Sequence, residues 1–163
     1  MLSSQPPPTN AGFPPPNAAL PGKPTAPAPA AAPALPAING IILVVDDSAV
    51  IRSAVTKVLL GRGHTVHQAE NGRLGLEFWE QNKATIQLII SDVFMPEMDG
   101  LSMAKEIRQR SRSVPILLMS SKLDDNSRWV ADEAGFRFLP KPFKDEVLLL
   151  LTDRLLRMRP TPA

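Results

Sequence analysis

The sequence predicts an α/β fold, a doubly wound five-stranded parallel sheet flanked by five helices, over residues 40–159. Three observations lead there. Short, continuously apolar runs such as Ile41–Val45 and Ile116–Met119 call for burial on both faces, which a parallel sheet covered on both sides supplies. These runs alternate strictly with segments of helical period. Two of them also end abruptly in acid, Asp46-Asp47 after the first and Asp92 after the third. Strand ends of this kind are where an open sheet keeps its ligand crevice.

The first strand is Ile41–Val45, and Ser48 is a suitable N-cap for the helix that follows. In that helix Val50, Ala54 and Val58 recur at i, i+4 and i+8, with Ile51, Val55 and Leu59 beside them. Gly61 and Gly63 end it. His64–Ala69 forms a second strand of weaker pattern, and Asn71-Gly72 leads into a helix carrying Leu74, Phe78 and Trp79. The third strand, Ile86–Ser91, delivers Asp92; Pro96 and Gly100 then bracket a tight turn. Asp99 caps a third helix marked by Leu101, Ala104 and Ile107. Pro115–Met119 is the fourth strand and runs into Ser120-Ser121. A fourth helix is predicted from about Asp125 to Ala134, with Gly135 as its stop. The fifth strand, Phe136–Leu139, ends before Lys141-Pro142, and a leucine-rich fifth helix runs from about Lys144 to Met158. There is no internal repeat.

Residues 1–39 are a different material. Twelve of the chain's 18 prolines fall there, among many alanines, and Lys23 is the only charged side chain. Such a segment cannot bury enough apolar surface to offset its ordering entropy, so it reads as a disordered tail with polyproline II character. It serves as a spacer, or as a docking ligand through stretches such as Pro21-Gly22-Lys23-Pro24; the spacer is the plainer reading, because such matches arise freely in proline-rich chain. Residues 160–163 form a short C-terminal tail. Without cysteine there are no disulfides or thiolate metal sites to consider, and a net charge of +2 does not argue for nucleic acid. No stretch approaches the ~20 apolar residues of a membrane span, and the N-terminus lacks the pattern of a signal peptide, so a cytoplasmic protein is expected.

The predicted sheet brings Asp46, Asp47, Asp92, Ser120 and Lys141 to one end. Three carboxylates in one pocket cannot all stay ionised at low cost without a cation. A hard cation such as Mg²⁺ takes one or two carboxylates, a backbone carbonyl and water, and leaves room for a phosphate oxygen. A carboxylate held there can attack a phosphoryl group, while metal, ammonium and hydroxyl neutralise the charge that develops on it. Singly, each residue has a plainer role: the Asp-Asp pair as a cap or turn, Ser120 as a turn hydroxyl, Lys141 as an exposed turn cation. Together, in order on successive strands, they point to phosphoryl transfer onto Asp92.

These residues carry a family resemblance. Val44-Val45-Asp46-Asp47-Ser48, Asp92-Val93-Phe94-Met95-Pro96-Glu97-Met98-Asp99-Gly100, Pro115-Ile116-Leu117-Leu118-Met119-Ser120-Ser121 and Lys141-Pro142-Phe143 resemble the receiver domain of two-component response regulators, of the chemotaxis-regulator type. The resemblance covers about residues 40–158 and implies a flavodoxin-like fold with strand order 2-1-3-4-5. It also implies that Asp92 accepts a phosphoryl group from a phosphohistidine on a sensor histidine kinase or phosphotransfer protein. Asp46 and Asp47 match the acidic pair that holds Mg²⁺, with Asp92 and the backbone carbonyl of Phe94 completing the protein ligands. Ser120 matches the hydroxyl that closes on the phosphoryl group, Lys141 the lysine that pairs with it, and Phe138 the aromatic that moves with Ser120. Phe94 and Lys122 stand where side chains tune self-dephosphorylation. Departures from the family pattern are Phe138, which has no hydroxyl, Ser121 in place of Ala or Gly, and the apolar bulk of Phe94.

The expected function is therefore a stand-alone phosphorylation switch, not an enzyme acting on other substrates. Only Arg159-Pro160-Thr161-Pro162-Ala163 follows the fifth helix, which suggests output through a partner protein. The face made by the fourth helix, fifth strand and fifth helix is where that partner is expected, with some of Leu148–Leu151, Leu155 and Leu156 exposed. A monomer or weak homodimer is anticipated. A receiver-shaped module that never takes phosphate fits the complete site less well. An aspartyl phosphohydrolase is rejected, because Ser48 and Ala49 stand where its second acid belongs.

Overall fold

Side chains alternate across a strand, so a sheet whose strands are apolar at every position must be covered twice. The computed structural model, which describes residues 38–122 and 135–158, shows this arrangement. Its strands are β1 (Ile41–Val45), β2 (Thr65–Ala69), β3 (Leu88–Asp92), β4 (Ile116–Ser120) and β5 (Arg137–Pro140). They form one sheet in the order β2-β1-β3-β4-β5, every pairing parallel. The helices described are α1 (Ala49–Gly61), α2 (Gly72–Asn82), α3 (Gly100–Arg110) and α4 (Asp145–Met158). The last of these is the fifth in the predicted order. The predicted fourth helix, at about 125–134, lies outside the described residues, as do residues 160–163 and all but the end of the 1–39 tail.

The two layers share out the strand residues one by one. Leu43, Val45, Ile89, Ile116 and Leu118 join Trp79 of α2 and Met103, Ala104 and Ile107 of α3. Ile42, Val44, Leu88, Ile90, Leu117 and Met119 join Val55 and Leu59 of α1 and Leu148, Leu155 and Leu156 of α4. β3 and β4 are buried at all positions. Each Leu or Ile so enclosed contributes about 1.5–3 kcal/mol relative to exposure. Ile38 also packs against the second layer, so the folded unit reaches slightly into the segment assigned to the tail.

Helix starts follow the cap residues. Ser48, Asn71 and Asp99 accept from Ile51, Leu74 and Ser102 N–H at 3.4, 2.8 and 2.8 Å. In α1 the two candidate stripes separate: Val55 and Leu59 face the core, while Val50 is 79% exposed. β2 starts at Thr65 and not at His64, whose buried Nδ1 accepts from Gly40 N–H at 3.1 Å. β3 extends to Asp92, one residue past the predicted end. Of the α4 leucines, Leu148, Leu155 and Leu156 are buried and Leu150 is 68% exposed, next to exposed Val147.

Candidate functional site

Asp92 and Ser120 are the last residues of β3 and β4, and Asp46 and Lys141 are the first after β1 and β5. Sheet hydrogen bonding continues across these ends. Asp46 N–H donates to the Ala69 carbonyl at 3.2 Å, Val93 N–H to Met119 at 2.9 Å, and Lys141 N–H to Ser120 at 2.8 Å. The side chains therefore sit on rigid backbone. Carboxylate oxygens of Asp46, Asp47 and Asp92 all lie within 4.8 Å of one another. The Lys141 ammonium is placed between two of them, with Nζ 3.0 Å from Asp46 Oδ2 and 3.0 Å from Asp92 Oδ1. Asp46 is buried, its Oδ1 accepting from Ser48 N–H at 2.9 Å, whereas Asp47 is exposed.

The electrostatics follow from one cation among three acids. Burial pushes the Asp92 carboxyl above its ordinary pKa, and the charges of Asp46 and Asp47 push the same way against Lys141. Burial alone lowers the pKa of Lys141, but hydrogen bonds and charge from Asp92 and Asp46 outweigh it and leave the pKa raised. The cluster is net negative with oxygen donors only, the donor set of a hard divalent cation. The residues present therefore fit such an ion.

The remaining predicted residues divide into two groups. Phe94, 53% exposed, and Lys122 line the same pocket of about 850 Å³ as Asp46, Asp47, Asp92 and Lys141. Ser120 is next to it but turned away: its Oγ donates to the Lys122 carbonyl at 2.8 Å and accepts from Lys122 N–H at 3.1 Å. Phe138 is half-buried and packs against the α2–α3 layer, outside that lining.

One contributor, Arg52, has no signal in the sequence, and a second, Gly100, has a reason there that only the fold shows. Arg52 donates through Nη1 to the Asp46 carbonyl at 2.6 Å and through Nε to Gln68 Oε1 at 3.3 Å, which ties the acidic turn to α1 and β2. Its partner is a main-chain oxygen, which leaves no trace in the sequence. Gly100 lies so close to the Asp92 carbonyl and Ser91 Oγ that any Cβ there would collide with both. With Pro96 it brackets the tight turn expected after Asp92, and the close approach is what makes glycine necessary.

Comparisons with known proteins agree with this geometry. The family that matches is the response regulator receiver domain, over residues 42–153. The sensor kinase CckA of Brucella abortus is 34% identical over 119 residues, a match that covers 72% of this chain and 13% of that protein. The DNA-binding transcriptional regulator NtrC of Escherichia coli (strain K12) is 37% identical over 117 residues, covering 71% of this chain and 24% of the relative. The chain thus spans only a minor part of these relatives. The structure of the chemotaxis protein CheY4 of Vibrio cholerae superimposes with a TM-score of 0.66 at 34% identity, over 72% of this chain and 99% of the other.

Proposed function

The chain belongs to the response regulator receiver domain family, and from that premise we propose that it accepts a phosphoryl group on Asp92 and signals through the conformation that results. The convergence of three carboxylates and one ammonium at the strand ends carries this reading. Lys141 holds Asp92 Oδ1, which leaves Oδ2 to attack phosphorus. The P–N bond of a phosphohistidine breaks as the P–O bond to Asp92 forms, and the imidazole leaves with the electron pair. Asp46, Asp47, Asp92 and the Phe94 carbonyl are the groups that would hold Mg²⁺, which when bound supplies charge neutralisation for the phosphoryl oxygens. Lys141 supplies the fixed positive charge on the other side. For Ser120 to reach the phosphoryl group it must give up its bond to the Lys122 carbonyl, so the turn after β4 is where the new state is first felt. Phe138 is the aromatic that moves with it, by family resemblance.

The donor in this reading is a sensor histidine kinase or phosphotransfer protein, and the receiver of the signal is a protein docking near β5 and α4, where Val147 and Leu150 are exposed. The chain acts as a switch and not as an enzyme on other substrates. A cytoplasmic setting suits this chemistry, and among the described residues no helix is long and apolar enough to cross a membrane. Incubation with a small acyl phosphate, with and without Mg²⁺, followed by intact mass measurement, tests the assignment. One added phosphoryl group is expected with Mg²⁺, and none in Asp92→Asn. An Asp92→Asn protein that still gains the group refutes the assignment; no gain in either protein leaves a module that works without phosphate.

A further inference from the structure

The end of the sheet opposite Asp92 holds a second concave site of different chemistry. The start of β4, the start of β5 and the C-terminal ends of α3 and α4 line a cavity of about 750 Å³, a volume typical of small-molecule sites. Lys105, Arg108, Arg112 and Arg137 line it, and among the described residues no carboxylate does. The ion pairs among the described residues involve other groups, so none of these four cations is paired there. Arg108 and Arg110 fall in the last turn of α3, where the helix dipole favours cations. Arg110 is also paired, with Glu80 and Glu106. Arg112 and Arg137 lie beyond that turn and have no such reason to be here.

Arg108 is the fixed member of the group. Its guanidinium lies over the Phe136 ring at 5.2 Å, and Nη1 donates to the carbonyls of Arg112 and Val114 at 3.0 and 3.2 Å. Its Nε is buried and finds no acceptor among the described residues. Burial and the like charge of Arg112 hold its pKa below the usual value. An incoming anion would offset the repulsion between Arg108 and Arg112. The floor is apolar, with Val114, Ile116, Phe136 and Leu155 buried beneath it. The cations are gathered at one concavity on a chain of net charge only +2, unlike the extended basic stripe that nucleic acid requires.

The geometry points to a second binding site, for a small phosphorylated organic molecule. Its phosphate sits against Arg108, Arg112 and Arg137, and its apolar or ring portion on the floor. The site is at the far end of the strands from Asp92, so both can be occupied at once. The probes are phenyl phosphate and inorganic phosphate, which share a charged group and differ by a ring. Each is titrated into the full chain without Mg²⁺ at about 0.15 M salt, with amide NMR shifts as the readout. Saturating shifts at Ser113, Ile116, Phe136 and Arg137 are expected, with phenyl phosphate about tenfold tighter than inorganic phosphate. Because Arg108 also braces the turn after α3, the variant used is Arg112→Gln with Arg137→Gln. It should keep its fold and lose roughly tenfold in affinity per arginine removed. Absence of saturation, shifts centred on Asp46 and Asp92, equal affinity for the two probes, or unchanged binding in the double variant would each overturn the proposal.

Discussion

The two ends of the sheet are opposites. At the carboxyl ends of the strands three carboxylates share one ammonium, and at the amino ends four cations line a cavity to which no described residue brings a carboxylate. The same strand serves both: β4 starts with Ile116 at the basic floor and ends with Ser120 beside the acidic pocket. In an all-parallel sheet every strand-to-helix connection lies at one end and every helix-to-strand connection at the other. Two sets of loops with different compositions thereby become two separate electrostatic environments about one strand length apart. They also differ in how their charges are held. Lys141 is partly buried between two acids at 3.0 Å, whereas Arg112 and Arg137 are exposed. Removing a cation should therefore have opposite consequences at the two ends.

The largest effect is expected for Lys141→Ala without divalent cation. It leaves Asp46 and Asp92 facing each other, and a loss of about 3 kcal/mol or more in denaturant unfolding is expected. A loss below 1 kcal/mol would mean that the acidic end does not depend on its lysine. The pH dependence has a definite sign. The folded-state pKa of Lys141 is raised, so the stability that it supplies is fully present below its unfolded pKa and is lost as pH rises through the folded one. That alkaline loss should be absent in Lys141→Ala, and the chain has neither Tyr nor Cys to obscure it.

Next in size is the cation itself. Asp47→Ala should weaken Mg²⁺ binding at least about tenfold, while Glu97→Ala, an acid outside the cluster, should leave it unchanged. Equal losses in calorimetric titration would replace a specific site with a diffuse negative end. A smaller effect is expected at the rim. Phe94 is exposed over the pocket and can exclude water but not orient it. Phe94→Asn should speed decay of the phosphorylated form in Mg²⁺ by up to about tenfold, and an unchanged rate would place the control of water elsewhere. The smallest effect belongs to the basic end. Arg137→Gln removes one of four cations that have no ion pair among the described residues, so stability should stay within about 0.5 kcal/mol of the parent, or rise. A larger loss would show that the cavity's arginines support the fold and are not held there for an anion.

Much of the acidic end was legible because it depends on local signals. An apolar run that stops at Asp46 or Asp92 marks a strand end, and strand ends are where a parallel sheet collects its side chains. Ser120 ends β4 beside the pocket, yet its bond to Lys122 is a matter of rotamer, and no spacing predicts a rotamer. In α1 the sequence offered two stripes a small rotation apart. Packing on β1 chose Val55 and Leu59 over Val50, because the side chains of the strand had already set the facing surface.

By itself the sequence determined the order of the described strands and helices, the caps at Ser48 and Asp99, and the acids and lysine that share one end. All of these follow from periodicity and from residues close together in the chain. Tertiary structure alone decided which helix face is buried, that Arg52 braces Asp46, and that cations far apart in the chain line one cavity. Pairing of Leu117 with Arg137 across β4 and β5 brings the end of α3 beside the start of β5. The physical reason is range: hydrogen bonding and hydrophobic period act over a few residues, whereas a cavity is closed by strands that meet only when the whole sheet has formed.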